Sequence, residues 1–246
     1  MRRFFLPKRQ IRDNHGIITG QELIHLRKAL RLAPGERITV FDDSGWEHEA
    51  VIRSLSPEQG EIEIVSSRAA DRESPLQLTL AVALTKGEKM DLVVEKATEL
   101  GVQTIIPFVS AYAVPKLDGA KISKRAGRWS KIAMSAAKQC GRTRIPRIDP
   151  LCEFEGLIRR PWPQTLKLFF WEKEQTQTLD KVHEREGKVE SALLAVGPEG
   201  GFTAAEAELA QAQGFEPVTL GKRILRAETA AVTALTLAQY LWGDLR

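Results

Sequence analysis

Residues 193–231 read LLAVGPEGGFTAAEAELAQAQGFEPVTLGKRILRAETAA. A short apolar run, 192–196, predicts a buried strand that empties into Gly197-Pro198-Glu199-Gly200-Gly201. Thr203-Ala204-Ala205-Glu206 is a capping box, which predicts a helix over 203–213. A second strand is predicted at 217–220. It is followed by a second irregular loop, Leu220-Gly221-Lys222-Arg223-Ile224-Leu225-Arg226, and then by the last helix. Strand, loop and helix, twice over, place both loops at the carboxyl ends of neighbouring strands, where open α/β sheets bind ligands.

Outward from this stretch the same grammar holds over 75–246. Apolar runs at 76–84, 103–109 and 166–171 alternate with helical periodicity at 88–100 and 123–140. Such alternation predicts an α/β domain with a mostly parallel sheet. Gly101, Gly141, Gly214 and Gly243 fall just past periodic segments, as helix-ending glycines do. Residues 1–70 read differently. Strands at 38–41, 48–55 and 61–65 are separated by turn clusters at 42–45 and 56–60, with one helix at 21–32. Short strands with turns between them predict a small β-barrel or sandwich. Residues 69–75, AADRESP, form the linker, giving domains at 1–70 and 75–246.

The chain has 246 residues and a net charge of only +4, but that charge is unevenly spread. Residues 121–147 hold nine lysines and arginines and no acid, and the first twelve residues hold five and no acid. This local excess predicts a polyanionic partner. In the first run Trp129, Ile132, Ala133, Ala136 and Ala137 recur at helical spacing, so Trp129 reads as core rather than as a base-stacking platform. No apolar run is long enough to span a membrane, and Phe4-Phe5-Leu6 is too short for a secretory signal. The expectation is a cytoplasmic protein.

The loops offer amides and shape, although the glycine pentapeptide alone is equally a tight turn. Glu199 disfavours a phosphate, and no Gly-Lys-Ser/Thr ending follows. An acid there suits a neutral or cationic ligand. The four histidines, His15, His25, His48 and His183, are not beside the loops, and no Ser-His-Asp arrangement or metal-ligand spacing stands out. Cys140 and Cys152 read as packing residues. A reaction that needs positioning more than acid-base chemistry fits this inventory. Methyl transfer from S-adenosylmethionine, whose sulfonium is already activated, is one. A Rossmann-type methyltransferase, which wants a Gly-x-Gly turn after the first strand, is excluded, since only Thr85-Lys86-Gly87 follows it.

With these residues in hand, the chain resembles the RsmE-type family of SPOUT-superfamily RNA methyltransferases. The resemblance rests on Gly197-Pro198-Glu199-Gly200-Gly201 and on Leu220-Gly221-x-x-Ile224-Leu225-Arg226-x-Glu228-Thr229-Ala230. It extends to Gly87-Glu88-Lys89-Met90, Glu99-Leu100-Gly101-Val102, and Gln139-x-Gly141-Arg142 with Pro146. Over 1–70 it rests on domain order and the basic start alone. It implies a PUA-like RNA-binding β-barrel at 1–70, a SPOUT domain with a deep trefoil knot at 75–246, and a homodimer without metal. It further implies S-adenosylmethionine held by Val196, Gly197, Gly201, Leu220, Ile224, Leu225 and Ala230, with 3-methyluridine in 16S ribosomal RNA of the small subunit as product. Lys138 departs from the pattern, standing where an acid is expected, and reads as added RNA affinity.

On this reading Arg226 stabilises charge on the uracil oxygens, and Glu228 or a water accepts the N3 proton. RNA contacts are expected from Arg2, Arg3, Arg9, Arg27, Lys28, Lys124, Arg125, Arg128, Arg142 and Arg144. Two rival readings stand beside it: a SPOUT methyltransferase for another RNA or base atom, and a non-catalytic ribosome-assembly protein.

Overall fold

The computed structural model describes residues 2–85, 88–112 and 119–246; Gly87 of the helix-start motif lies outside them. The chain forms two compact units. The first is Met1–Glu73 with Met134–Ile145, and the second is Ser74–Ala133 with Pro146–Arg246.

The first unit holds β1 (Arg3–Phe5), β2 (Ile11–Arg12), β3 (His15–Ile18), α1 (Gly20–Ile24), β4 (Arg37–Phe41), β5 (Trp46–Leu55) and β6 (Gly60–Ala69). They form one sheet in the order β1-β4-β5-β6-β3-β2, antiparallel except where β1 runs parallel to β4. Period-two alternation explains the register: Ala50 and Ile52 of β5 are buried while Arg53 is exposed. The core gathers Phe4, Leu6, Leu26, Val40, Ile52 and Ile62. β5 and β6 are longer than the apolar runs alone predict, and β6 reaches into the expected linker. β1, β2 and β3 are not legible from the basic N-terminal residues. Asp13 and Asn14, at φ of 46° and 62°, make the two-residue turn between β2 and β3. The helix expected over 21–32 is α1, continued by a wider π-helical turn over His25–Ala29. His48 is buried, with Nδ1 2.8 Å from Ser67 Oγ and Nε2 3.6 Å from Asp42 Oδ2, an arrangement the residue spacing does not reveal.

Two of the expected RNA contacts are structural members of this unit. Arg3 is 5% exposed. Its guanidinium donates to the carbonyls of Gly141 at 3.0 Å and Arg142 at 2.7 Å, lies over the Phe41 ring and ion-pairs with Glu47. Arg142 is also buried and donates to Glu73 Oε2 at 2.7 Å through Nη2. Glu73 Oε1 in turn accepts the backbone amides of Thr143 and Arg144. Neither guanidinium faces solvent, so neither is placed to meet a phosphate. Lys138, read as added RNA affinity, instead donates to Glu22 Oε1 at 2.7 Å.

The second unit contains β7 (Gln77–Ala83), α2 (Lys89–Glu99), β8 (Thr104–Val109), α3 (Gly119–Cys140), β9 (Arg147–Ile148), β10 (Cys152–Glu153), α4 (Phe154–Ile158), β11 (Leu166–Phe170), α5 (Leu179–Glu186), β12 (Ser191–Val196), α6 (Ala204–Ala212), β13 (Glu216–Val218) and α7 (Ala227–Trp242). The last turns of α3, from Met134, belong to the first unit. The sheet order is β10-β8-β7-β12-β11-β13, with β9 beside β8, and every pairing is parallel. The central strands are apolar throughout because helices cover both faces. Phe108, Phe154, Phe169 and Phe202 meet in one cluster, with Phe108 and Phe202 stacked at 6.3 Å. Trp129 and Ala133 are buried, as the helical spacing predicts. Gly101, Gly141 and Gly214 adopt positive φ at helix ends, whereas Gly243, at φ −107°, does not.

Candidate functional site

β12 lies between β7 and β11, and β13 borders β11 on its far side, so the chain leaves these strands at one edge of the sheet. The first loop leaves β12 after Val196, the second leaves β13 after Val218, and a third segment leaves β11 after Phe170. The first loop is fixed by the cap of α6. Thr203 Oγ1 accepts from the Glu206 amide at 3.1 Å, while Glu206 Oε2 accepts from the Thr203 amide at 2.8 Å. Glu206 Oε1 also accepts from the Ala111 amide at 2.8 Å, which ties the exit of β8 to the same cap. Gly201 takes φ +71°, in the left-handed region that favours glycine.

A pocket of about 290 Å³ opens between these segments, walled by 170–172, 196–201 and 218–225 with Ala227 and Ala230 from the last helix. All seven residues expected to hold a cofactor line it: Val196, Gly197, Gly201, Leu220, Ile224, Leu225 and Ala230. The wall made by Phe170, Trp171 and Glu172 is not assigned from sequence. The clue was present, since a run at 166–171 read as another parallel strand must also end at the binding edge.

The charges differ from the expectation. Glu199 does not present a bare carboxylate, for Lys89 Nζ donates to its Oε1 at 2.7 Å. The acid packed against Gly201 is Glu172, which is exposed and lines the pocket. Arg226 and Glu228 are not part of the pocket wall itself but start the adjoining helix. Arg226 is the exposed N-cap of α7, and its carbonyl accepts from Ala230 at 2.8 Å. Glu228 Oε2 is buried and accepts no hydrogen bond, with Lys89 Nζ 3.6 Å away. The Lys89 ammonium is held above its ordinary value, first by the Glu199 hydrogen bond; Glu228 adds to this and Arg226 opposes it. Lys89 is therefore a member of the site that residue types alone did not single out.

The arrangement suits one ligand class. Two loops offer backbone amides, Val196, Leu220, Leu225 and Ala230 offer apolar surface, and Glu172 offers a carboxylate. Such walls fit a heteroaromatic molecule carrying hydroxyls or positive charge, as S-adenosylmethionine does. Among the described residues no group of three or more His, Cys, Asp or Glu is arranged to hold a metal, and no helix is long and apolar enough to cross a membrane.

The remaining expected RNA contacts divide by their neighbours. Arg9, Arg27, Lys28 and Lys124 are exposed, and Arg125 is half-buried. Arg2 pairs with Glu36 at 2.9 Å, and Arg144 donates to the Ser44 carbonyl at 3.2 Å. Arg128 is exposed but pairs with Glu88 at 3.2 Å and with Asp91. The 121–147 run is free of acid along the chain but not in space.

Comparison with known proteins finds RNA methyltransferases. A family model for an RNA methyltransferase domain matches residues 72–239, and one for an RNA methyltransferase PUA domain matches residues 18–65. A ribosomal RNA small subunit methyltransferase E from Bacillus subtilis is 34% identical over 100% of this chain and 99% of its own. The structure of a putative methyltransferase from Legionella pneumophila with bound S-adenosylmethionine superposes at a TM-score of 0.92, with 33% identity over 99% of both chains. That of a ribosomal RNA small subunit methyltransferase E from Neisseria gonorrhoeae, also bound to S-adenosylmethionine, gives 0.88 with 34% identity over 100% of both.

Proposed function

The chain belongs to the ribosomal RNA small subunit methyltransferase E family, and on that premise we propose that it transfers a methyl group from S-adenosylmethionine to N3 of a uridine in 16S ribosomal RNA. The observation that carries the reading is the convergence of both glycine loops on one pocket, with Arg226 and Glu228 at the adjoining helix start.

Bound in that pocket, S-adenosylmethionine supplies a methyl group already activated on a sulfonium. Val196, Leu220, Leu225 and Ala230 give it apolar surface, and the Gly197 and Gly201 backbone borders it. The uracil imide must lose its N3 proton before the nitrogen can attack. Arg226, exposed at the helix mouth, stabilises negative charge on the flanking oxygens as it develops. The Glu228 carboxylate, with an oxygen that accepts no hydrogen bond, is the proton acceptor.

The finer architecture belongs to the same proposal. β12 lies between β7 and β11, β13 borders β11 on its far side, and α7 then returns to pack on α2 and β7. That return path supports the trefoil knot, and the single mixed sheet of the first unit supports a PUA-like barrel. Leu237 and Tyr240 are exposed apolar residues on α7 and support a homodimer. The partner is the small ribosomal subunit or its RNA, encountered in the cytoplasm.

The test is transfer of labelled methyl from S-adenosylmethionine to 16S RNA and to small subunits from a deletion strain, followed by mass spectrometry of nucleosides. Label in 3-methyluridine is expected. Label in transfer RNA or in another nucleoside would replace the substrate assignment, and no binding of the methyl donor by calorimetry would replace the enzyme by an RNA-binding protein.

A further inference from the structure

One side chain of α2 reaches toward both the first ligand loop and the start of the last helix. Lys89 Nζ donates to Glu199 Oε1 of the first loop at 2.7 Å and lies 3.6 Å from Glu228 Oε2 at the start of α7. Glu228 is only 13% exposed at its side chain, and its Oε2 accepts no hydrogen bond. A carboxylate oxygen shut away from water without a donor needs a counter-charge nearby. Among the described residues, the cation within ion-pair range of Glu228 is Lys89.

The sharing is unequal. Lys89 is bonded to Glu199 and only close to Glu228, so the first loop anchors the lysine and the lysine in turn faces the acid. Removing it would leave two carboxylates, one from each side of the pocket mouth, with that cation gone.

We propose that Lys89 is a positioning residue of the methyl transfer: its ammonium ties the first ligand loop to the start of the last helix and holds the Glu228 carboxylate in place. The inference rests on Glu228 being the proton acceptor. Lys89 acts through Glu228 and not on the substrate. The ammonium stays charged across the working range, because Glu199 and Glu228 both favour its protonated form.

The experiment measures methyl transfer to 16S RNA, with S-adenosylmethionine affinity from calorimetry, for Lys89→Met, Lys89→Arg and the same changes in a Glu228→Gln background. In the wild-type background Lys89→Met is expected to lower kcat about tenfold or more, while Kd for S-adenosylmethionine changes about threefold or less. Lys89→Arg, which keeps the cation, restores most of kcat. In the Glu228→Gln background Lys89→Met costs nothing further, because the group it positions is already gone. Wild-type kcat in Lys89→Met overturns the proposal, as does an equal loss in both backgrounds or an effect confined to Kd. Wild-type kcat in Glu228→Gln overturns the assignment of Glu228 itself, a distinct outcome. Should Lys89→Met not fold by thermal melting, Lys89→Gln is read in the same way.

Discussion

Gly201 and Glu172 pack so closely that a β-carbon on Gly201 would run into the Glu172 carboxylate, and Gly201 holds φ +71° besides. Both facts oppose a side chain there. The carboxylate is the far end of a flexible side chain and can swing aside, whereas the backbone angle cannot be relieved so cheaply. Gly201→Ala is therefore expected to strain the loop by about 1–2 kcal/mol. If the strain falls on the bound conformation, S-adenosylmethionine affinity drops about tenfold. Calorimetry checks this, and in a Glu172→Ala background the stability lost by Gly201→Ala, read as a urea midpoint, should shrink only in part. Full recovery would make crowding, not the backbone angle, the reason for glycine.

Arg3 illustrates a different cost. It is buried against Glu47 and two backbone carbonyls, and its burial lowers the pKa of the guanidinium. Arg3→Met leaves the Glu47 carboxylate without one of its partners and both carbonyls without their donor. The expected loss is roughly 3–5 kcal/mol of stability, read as a lower midpoint in urea. RNA binding by the variant that remains folded should keep its salt dependence. A shallower salt slope at unchanged stability would return Arg3 to the RNA interface.

The legibility of this chain follows the range of each interaction. The parallel sheet was readable because strands buried on both faces are nearly continuous apolar runs, as at 192–196, and because the capping box of α6 is a local signal spanning four residues. Both pocket loops were readable for the same reason, since glycine marks backbone need at its own position. Arg3 and Arg142 misled because their acids, Glu47 and Glu73, lie far away along the chain. A count of local charge cannot see a partner brought in by folding. Glu172 was missed because only the strand order β12-β11-β13 puts the end of β11 beside the two glycine loops. Lys89 was quoted as part of a helix start, but its pairing with Glu199 spans 110 residues.

The basic surface can be divided by the same reasoning. Lys124 is exposed, whereas Arg128 already pairs with Asp91 and Glu88. A cation that neutralises a phosphate contributes about 0.7–0.9 to the slope of log K against log salt. Lys124→Ala is expected to reduce the slope for 16S RNA by about that much, and Arg128→Ala by clearly less. Filter binding between low and moderate salt distinguishes them. Equal slopes for both variants would show that Arg128 leaves its acids on binding RNA.

Glu216 on β13 sets an acid limit on the second unit. Arg185 of α5 donates to its two oxygens at 2.9 and 2.5 Å, and Gln177 donates to Oε1. The arginine pair, more than the burial that opposes it, holds this carboxyl below its ordinary value of 4.5. A lowered folded value means that the unfolded chain binds the proton more readily. The contribution is thus complete above about pH 4.5 and is lost as pH falls through the lower folded value. Because Arg185 is half exposed, the pair is worth about 0.5–1 kcal/mol at most. Glu216→Gln should therefore be less stable than the parent near neutrality and equal to it in strong acid. Urea midpoints measured from pH 7 down to about pH 3 test this, and a gap that stays constant with pH would show that the pair does not control the acid limb.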